Sequence, residues 1–189
     1  MNNYTPLFMN NYTPILDKVI TIKNCISPSL LSYTKHKIEE SEGWHFKYGG
    51  EEFKDKHAKL EIFKNPNLLY LKGIAQSILL SIFDKGGYNY FHPHLFYCGA
   101  SVKDKHRKDN PHVDHIEDDF KPLKLLGILN PNWKSEWGGG FIWGNQHYPL
   151  APGDFLLFDP KVTHHAEDIY CDEKRIAIDF TVPSIEFNK

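Results

Sequence analysis

The sequence predicts a mainly β fold, a small antiparallel barrel or jelly roll with helices packed on one of its sheets. Two observations carry this expectation. Two helical patterns occupy the first half, and after Gly87 the texture changes to short alternating or apolar runs divided by Gly, Pro, Asn and Asp. A third sets the scale: 189 residues with 41% apolar composition suffice for one well-buried core and favour a single domain over residues 1–189.

In chain order, residues 1–16 form a duplication, MNNYTPLF and then MNNYTPIL, whose second copy opens on Met9. The copy is too short for a structural repeat, and its Asn, Thr and Pro resist helix, so it reads as a leader without visible chemistry. Residues 17–93 read as helical support. From Ser27 the pattern turns helical, with Ser29 as candidate cap before LLSYTKHKIEE, and then runs into a polar, glycine-interrupted stretch from Ser41 to His57. The stronger helix is NPNLLYLKGIAQSILLSIFDKGG. Its Leu68, Leu71, Ala75, Ile78, Leu79 and Ile82 recur at three and four, Asn67 or Asn65 can cap its start, and Gly86 and Gly87 stop it. That apolar stripe needs a flat partner. Strands are expected near His94 to Val102, His112 to His115, Leu123 to Leu129, Gly140 to Trp143, Tyr148 to Leu150, Asp154 to Asp159, His164 to Ile169 and Arg175 to Val182.

Charge and cysteine content narrow the function classes. The formal charge of −2 arises from 22 basic and 24 acidic residues scattered through the chain, so no global field gathers nucleic acid or an anionic membrane. No apolar run approaches the ~20 residues of a membrane span, and the N-terminus lacks the order of a secretory signal, which together suggest a soluble, cytoplasmic protein. Cys25, Cys98 and Cys171 form an odd set without CxxC spacing and read as reduced thiols.

The chemistry concentrates at His112-Val113-Asp114. Two residues apart on a strand, His112 and Asp114 share one face while Val113 faces away, which sets an imidazole beside a carboxylate. A third ligand from a neighbouring strand would complete a 2-His-1-carboxylate facial triad, which leaves adjacent coordination positions open and marks non-haem iron(II) oxygenases. By itself the HxD pair is weak, because eleven histidines produce such pairs by chance.

The downstream order adds weight: NPNWKSEWGGGFIWGNQHYPLAPGDFLLFDPKVTHHAEDIYCDEKRIAIDFTV sets out a glycine-rich turn, a PGD turn, an apolar strand, two histidines and an arginine-led strand. With the HxD motif, this segment resembles the prolyl 4-hydroxylase-like branch of the iron(II)/2-oxoglutarate dioxygenase superfamily, particularly its compact bacterial and viral members. The resemblance covers roughly residues 94 to 182, which it makes a jelly-roll catalytic core. It implies a double-stranded β-helix fold with the N-terminal helices against the larger sheet. It also implies that His112, Asp114 and His164 hold the metal, the last chosen because His164 lies eleven residues after Gly153 and is followed at +2 by the small Ala166. His165 is the rival, since a bulge could turn it inward.

Arg175 matches the basic residue that such enzymes pair with the distal carboxylate of 2-oxoglutarate. Its strand fits the role: Arg175, Ala177, Asp179 and Thr181 share one face and leave room for a co-substrate, while Ile176, Ile178, Phe180 and Val182 share the other and can pack on the helix of residues 67–83. A buried arginine needs an anion, and a carboxylate can take it bidentately. The alternative for Arg175 is an edge-strand salt bridge in solvent.

Several positions depart from the family pattern. Gly140 stands where the pattern has Glu, and Ile128 where it often has a tyrosine that helps hold 2-oxoglutarate; Tyr97 is the best substitute donor. Trp133, Trp137 and Trp143 line the mouth of the barrel or simply pack. The pair His92 and His94 reads as a strand entry, and His106, in the charged run KDKHRKDN, as part of a solvated loop or a flap over the substrate. The resemblance implies iron(II), 2-oxoglutarate as co-substrate and ascorbate as an optional accessory, and an oxidative decarboxylation to succinate and carbon dioxide coupled to substrate hydroxylation. Nucleic-acid dealkylating members carry a second arginine six residues after the first; here that position is Thr181, which favours a peptidyl substrate, prolyl first, or a small molecule. A different class of reading is a non-catalytic, metal-binding cupin- or lectin-like jelly roll, which has no use for Arg175 facing the metal.

Overall fold

A computed structural model describes residues 16–42, 45–46, 58–86, 97–114 and 122–182. The elements run β1 (Ile20–Ile22), α1 (Pro28–Glu39), β2 (His45–Phe46), β3 (Ala58–Glu61), α2 (Tyr70–Gly86), β4 (Tyr97–Lys103), β5 (Leu123–Ile128), β6 (Phe141–Trp143), β7 (Gln146–Tyr148), β8 (Phe155–Phe158), β9 (His164–Ala166) and β10 (Arg175–Val182). They form a seven-stranded sheet in the order β1-β8-β5-β10-β4-β3-β2 and a three-stranded sheet in the order β7-β6-β9, every pairing antiparallel. The expected mainly β, antiparallel architecture with helices is therefore present.

The alternation of β10 organises the molecule. Ile176, Ile178, Phe180 and Val182 enter a core shared with Leu31 and Ile38 of α1 and with Leu71, Ala75, Ile78 and Leu79 of α2. The expected apolar stripe thus meets the expected strand face. On the other side of the large sheet, Ile128, Leu156 and Phe158 join Phe141 and Trp143 of the small sheet in a second core, which places Arg175, Ala177, Asp179 and Thr181 on the face toward the small sheet.

Several boundaries differ from expectation. Ser27, not Ser29, caps α1, its Oγ accepting from the Leu30 N–H at 3.3 Å, because Pro28 occupies the first helical position where its fixed φ is preset. Asn65 likewise caps a short 3₁₀ turn, Pro66–Leu68, and α2 starts only after it at Tyr70. The region 17–93 is not purely helical, since it supplies β1, β2 and β3 at the two edges of the large sheet. These strands are too short to show a period in sequence. Tyr148 to Leu150 is displaced: β7 starts at Gln146, because Trp143 pairs with Gln146 across the two-residue turn Gly144-Asn145, with Gly144 at φ 58°. Residues 1–15 of the leader 1–16, and His92 and His94, lie outside the described residues.

The PGD turn ties the N-terminal segment down. Gly153, at φ 83°, offers its carbonyl to the N–H groups of Cys25 and Ile26 at 2.7 and 3.3 Å, and a Cβ there would meet the Ile26 carbonyl oxygen at 2.6 Å. Asp154 completes the tie by accepting from Lys23 Nζ at 2.6 Å and the Asn24 N–H at 2.9 Å. Among the described residues, no helix is long and apolar enough to cross a membrane.

Candidate metal centre

His112, Asp114 and His164 converge, with their ligand atoms within 4.8 Å of one another. Asp114 Oδ1 lies 3.7 Å from His112 Nε2 and 3.8 Å from His164 Nε2. The backbones of the two histidines are reciprocally bonded, His112 N to His164 O at 3.0 Å and His164 N to His112 O at 2.8 Å, so the two rings keep a fixed relation. Over the described residues 112–114 their pairing is an isolated bridge, where a strand is expected over 112–115. The Asp114 N–H donates instead to Pro160 O at 3.0 Å, a different segment, and that ends the ladder after one pair.

Each imidazole is also oriented from behind. His112 Nδ1 lies 2.9 Å from Asn110 O, and His164 Nδ1 lies 2.8 Å from Val162 O. A carbonyl can only accept, so each Nδ1 carries the proton and each Nε2 keeps its lone pair toward the shared space. His164 is 5% exposed, on β9 beside Phe141 and Phe158. His165 alternates to the other face of β9, within reach of the charges of Lys103 and Asp109, and is not in the cluster.

Burial pushes the His164 imidazole down to about 4, despite the opposing pull of Asp114. An unfolded histidine takes up its proton below about 6.5, whereas folded His164 does so only near 4, so in that window the unfolded state binds more protons. The metal-free protein is therefore expected to lose stability as the pH falls from about 6.5 toward 4, and His164→Gln should flatten that slope. Melting temperatures of parent and variant across this range check it; identical slopes would contradict the assignment.

Burial also works against the Asp114 charge, but Lys124, His164 and His112 together hold its pKa below the ordinary carboxylate value. Lys124 of β5 sits 2.9 Å from Asp114 Oδ2 and 3.0 Å from Asp179 Oδ2. The two carboxylates outweigh burial and raise its pKa, so it remains an ammonium. In the sequence Lys124 gives one signal, a lysine at an inward position of an otherwise apolar strand, which does not mark it as part of a site.

Arg175 is not an edge residue. Its strand lies between β5 and β4, and it is 5% exposed. Its Nη1 donates to Gly139 O, while its buried Nε has no hydrogen-bond partner. Asn130, the residue before Pro131, brackets the position: its Oδ1 accepts from the Ile176 N–H at 2.7 Å and its Nδ2 donates to Lys174 O at 2.8 Å. Lys103, the cross-strand neighbour of Arg175, is buried too and donates to Asp109 Oδ2 at 3.0 Å and Ala166 O at 3.3 Å, while Arg107 holds Asp109 Oδ1 at 2.8 Å. Lys103 and Arg107 thus pair with Asp109, and Arg175 lies near enough to feel its charge. Burial, offset in part by Asp109, lowers Arg175 to about 10.

The run KDKHRKDN is consequently more than a solvated loop. Lys103 and Asp109 are drawn inward, and Lys105 and Lys108 pair with Asp172 and Asp168, which fastens the segment before His112 to the segment after β9. His106 itself is exposed. Tyr97 lies on the same face of β4 as Lys103, folded along the strand over Gly99, where a Cβ would come within 2.1 Å of its hydroxyl. Ile128 faces the second core. Trp133 and Trp143 are packing residues, donating to Gly138 O at 3.0 Å and Asp159 O at 2.9 Å, and Trp137 stands edge-on to Trp133. At Gly140 a carboxylate arrives from elsewhere: Glu167 Oε2 accepts from the Gly140 N–H at 3.0 Å and lies 3.1 Å from His147, and a Cβ at 140 would meet His147 Nε2 at 2.6 Å.

No family model and no curated protein matches the chain. Solved structures do. A Pseudomonas putida prolyl-4-hydroxylase is 13% identical with a TM-score of 0.60, covering 87% of this chain and 91% of that one. HygX of Streptomyces hygroscopicus, solved with nickel and 2-oxoglutarate bound, is 11% identical with a TM-score of 0.60, over 87% of this chain and 82% of that one. SnoK, a non-haem α-ketoglutarate-dependent carbocyclase of nogalamycin biosynthesis, is 15% identical with a TM-score of 0.68, over 88% and 80%. The chain has the fold of these three proteins.

Proposed function

We propose that the chain is a single-domain iron(II)- and 2-oxoglutarate-dependent dioxygenase with a double-stranded β-helix core, a hydroxylase of prolyl 4-hydroxylase type acting on a peptidyl or small-molecule substrate. The observation that carries this reading is the convergence of His112, Asp114 and His164 with both Nε2 lone pairs and one carboxylate oxygen turned to a common space. That donor set fits iron(II), and two nitrogens with one oxygen leave positions for a chelating keto acid and oxygen. The buried, unpartnered Nε of Arg175 fits the distal carboxylate of 2-oxoglutarate. When bound, iron(II) and 2-oxoglutarate would activate dioxygen, one oxygen atom going to succinate as 2-oxoglutarate loses carbon dioxide and the other to the hydroxyl formed at a substrate C–H bond.

The chain's own residues do the rest. His112, Asp114 and His164 hold the metal, Arg175 orients the co-substrate, and the Phe141, Trp143 and Phe158 side of the second core keeps water from the buried flank of His164. Tyr97 is the candidate further donor to 2-oxoglutarate. The peptidyl or small-molecule preference rests on Thr181 in place of a second arginine and on the balanced charge of −2. HygX has been solved with hygromycin B bound, which lends support to the small-molecule arm.

Ligand linkage tests the reading. Iron(II) and 2-oxoglutarate together, each at about 100 times its dissociation constant, should stabilise the protein by roughly 3 kcal/mol beyond iron alone, or about 5–10 °C in melting temperature under nitrogen. No joint increment over iron alone would sink the co-substrate assignment.

A further inference from the structure

We propose that Lys124 is a positioning residue of the metal centre: it holds Asp114 Oδ2 so that Oδ1 alone serves as a metal ligand. The inference rests on the reading of His112, Asp114 and His164 as that centre.

The two oxygens of Asp114 have separate surroundings. Oδ1 faces both imidazoles, at 3.7 and 3.8 Å, whereas Oδ2 faces the ammonium of Lys124 at 2.9 Å. Asp114 needs such a guide, because it follows the bridge at His112 and, among the described residues, its backbone bonds only to Pro160. The terminal torsion of an aspartate is broad, so nothing in the local backbone selects one oxygen over the other. A carboxylate that turned and bound through both oxygens would consume a position that co-substrate or oxygen requires.

Lys124 is itself fixed. Its side chain projects from β5 on the same face as Thr181 of β10 and Phe158 of β8, and its ammonium donates to Asp179 Oδ2 at 3.0 Å while it stands in ion-pair contact with Asp114 Oδ2. Asp179 also sets the charge balance. The Asp114–Lys124–Asp179 group carries net −1, so an approaching dication meets no net repulsion even with a lysine beside its carboxylate ligand.

Charge and orientation predict opposite signs, which makes the inference decidable. Deleting the lysine removes a positive charge near the metal, and on charge alone it should tighten binding. On orientation it should weaken binding, and a partner that fixes a metal ligand is typically worth 10–100-fold in metal affinity. We expect orientation to win, since Asp179 already offsets the charge.

The experiment is a titration with cobalt(II) alone under nitrogen, following visible d–d absorption, on parent, Lys124→Met, Lys124→Arg and Asp179→Asn, with melting of the metal-free proteins as the control for folding. Lys124→Met should bind cobalt about 10–100-fold more weakly, with an altered band pattern. Lys124→Arg should recover most of the affinity and the parent band pattern, and Asp179→Asn should fall between. If Lys124→Met does not fold, Lys124→Gln carries the same expectation. Parent-like or tighter binding with an unchanged spectrum in a folded Lys124 variant overturns the inference and leaves Lys124 a counter-ion only. A parent that binds no cobalt overturns the metal centre itself, an outcome distinct from failure of the lysine's role.

Discussion

Asp114→Ala is expected to abolish iron-dependent turnover and to weaken metal binding by more than the roughly 100-fold that outer partners of a metal site contribute. The loss should be local. Asp114 is not part of a strand, and its removal leaves Lys124 paired with Asp179, so the melting temperature of the metal-free protein should move little. The same logic separates the adjacent histidines: His164→Ala should lose the metal and His165→Ala should keep it, because only His164 faces Asp114. Metal titration with succinate release in air measures both, and parent-like turnover in Asp114→Ala would remove the triad from consideration.

Arg175→Ala is expected to leave metal binding nearly unchanged and to weaken 2-oxoglutarate by roughly 30- to 1000-fold, the equivalent of about 2–4 kcal/mol for a buried, charge-assisted contact. Arg175→Lys should lie between, because a point charge replaces a fork. The readout is the metal-to-ligand charge-transfer absorption that a chelated keto acid gives on the iron-loaded protein under nitrogen. If Arg175→Ala titrates like the parent, the co-substrate's tail must sit elsewhere, with Lys103 the neighbouring cation to test. If the parent shows no band and releases no succinate, a non-catalytic metal-binding jelly roll is the better account.

What the sequence made legible follows from periodicity. β10 spans Arg175–Val182 as expected, because eight alternating residues carry a strong period of two, and the stripe of α2 meets it because seventeen residues carry a period near 3.6. The cluster of His112, Asp114 and His164 was readable as spacing plus resemblance. Lys124, Lys103 and Asp109 were not, because a charged residue looks solvated unless its partners are known, and Asp179 and Arg107 are distant or irregularly placed in the chain. Strands β1 to β3 escaped for a related reason: two to four residues hold no period, and only the pairing of β1 with β8, of β3 with β4 and of β2 with β3 identifies them. At Gly140, the sequence revealed a missing carboxylate but not that Glu167 reaches the same place from the neighbouring segment.

The division of β10 into two faces has a consequence for how such a protein can diverge. Every second residue of this strand belongs to the helix-side core and the others to the side that holds Arg175 and Asp179. Substitutions on one register are therefore felt first in the packing of the helix-side core, and on the other in the setting of Arg175 and Asp179. A lineage can remodel the face that holds Arg175 and Asp179 while its helical scaffold stays under an unrelated constraint, and two such chains can share little identity and still superimpose.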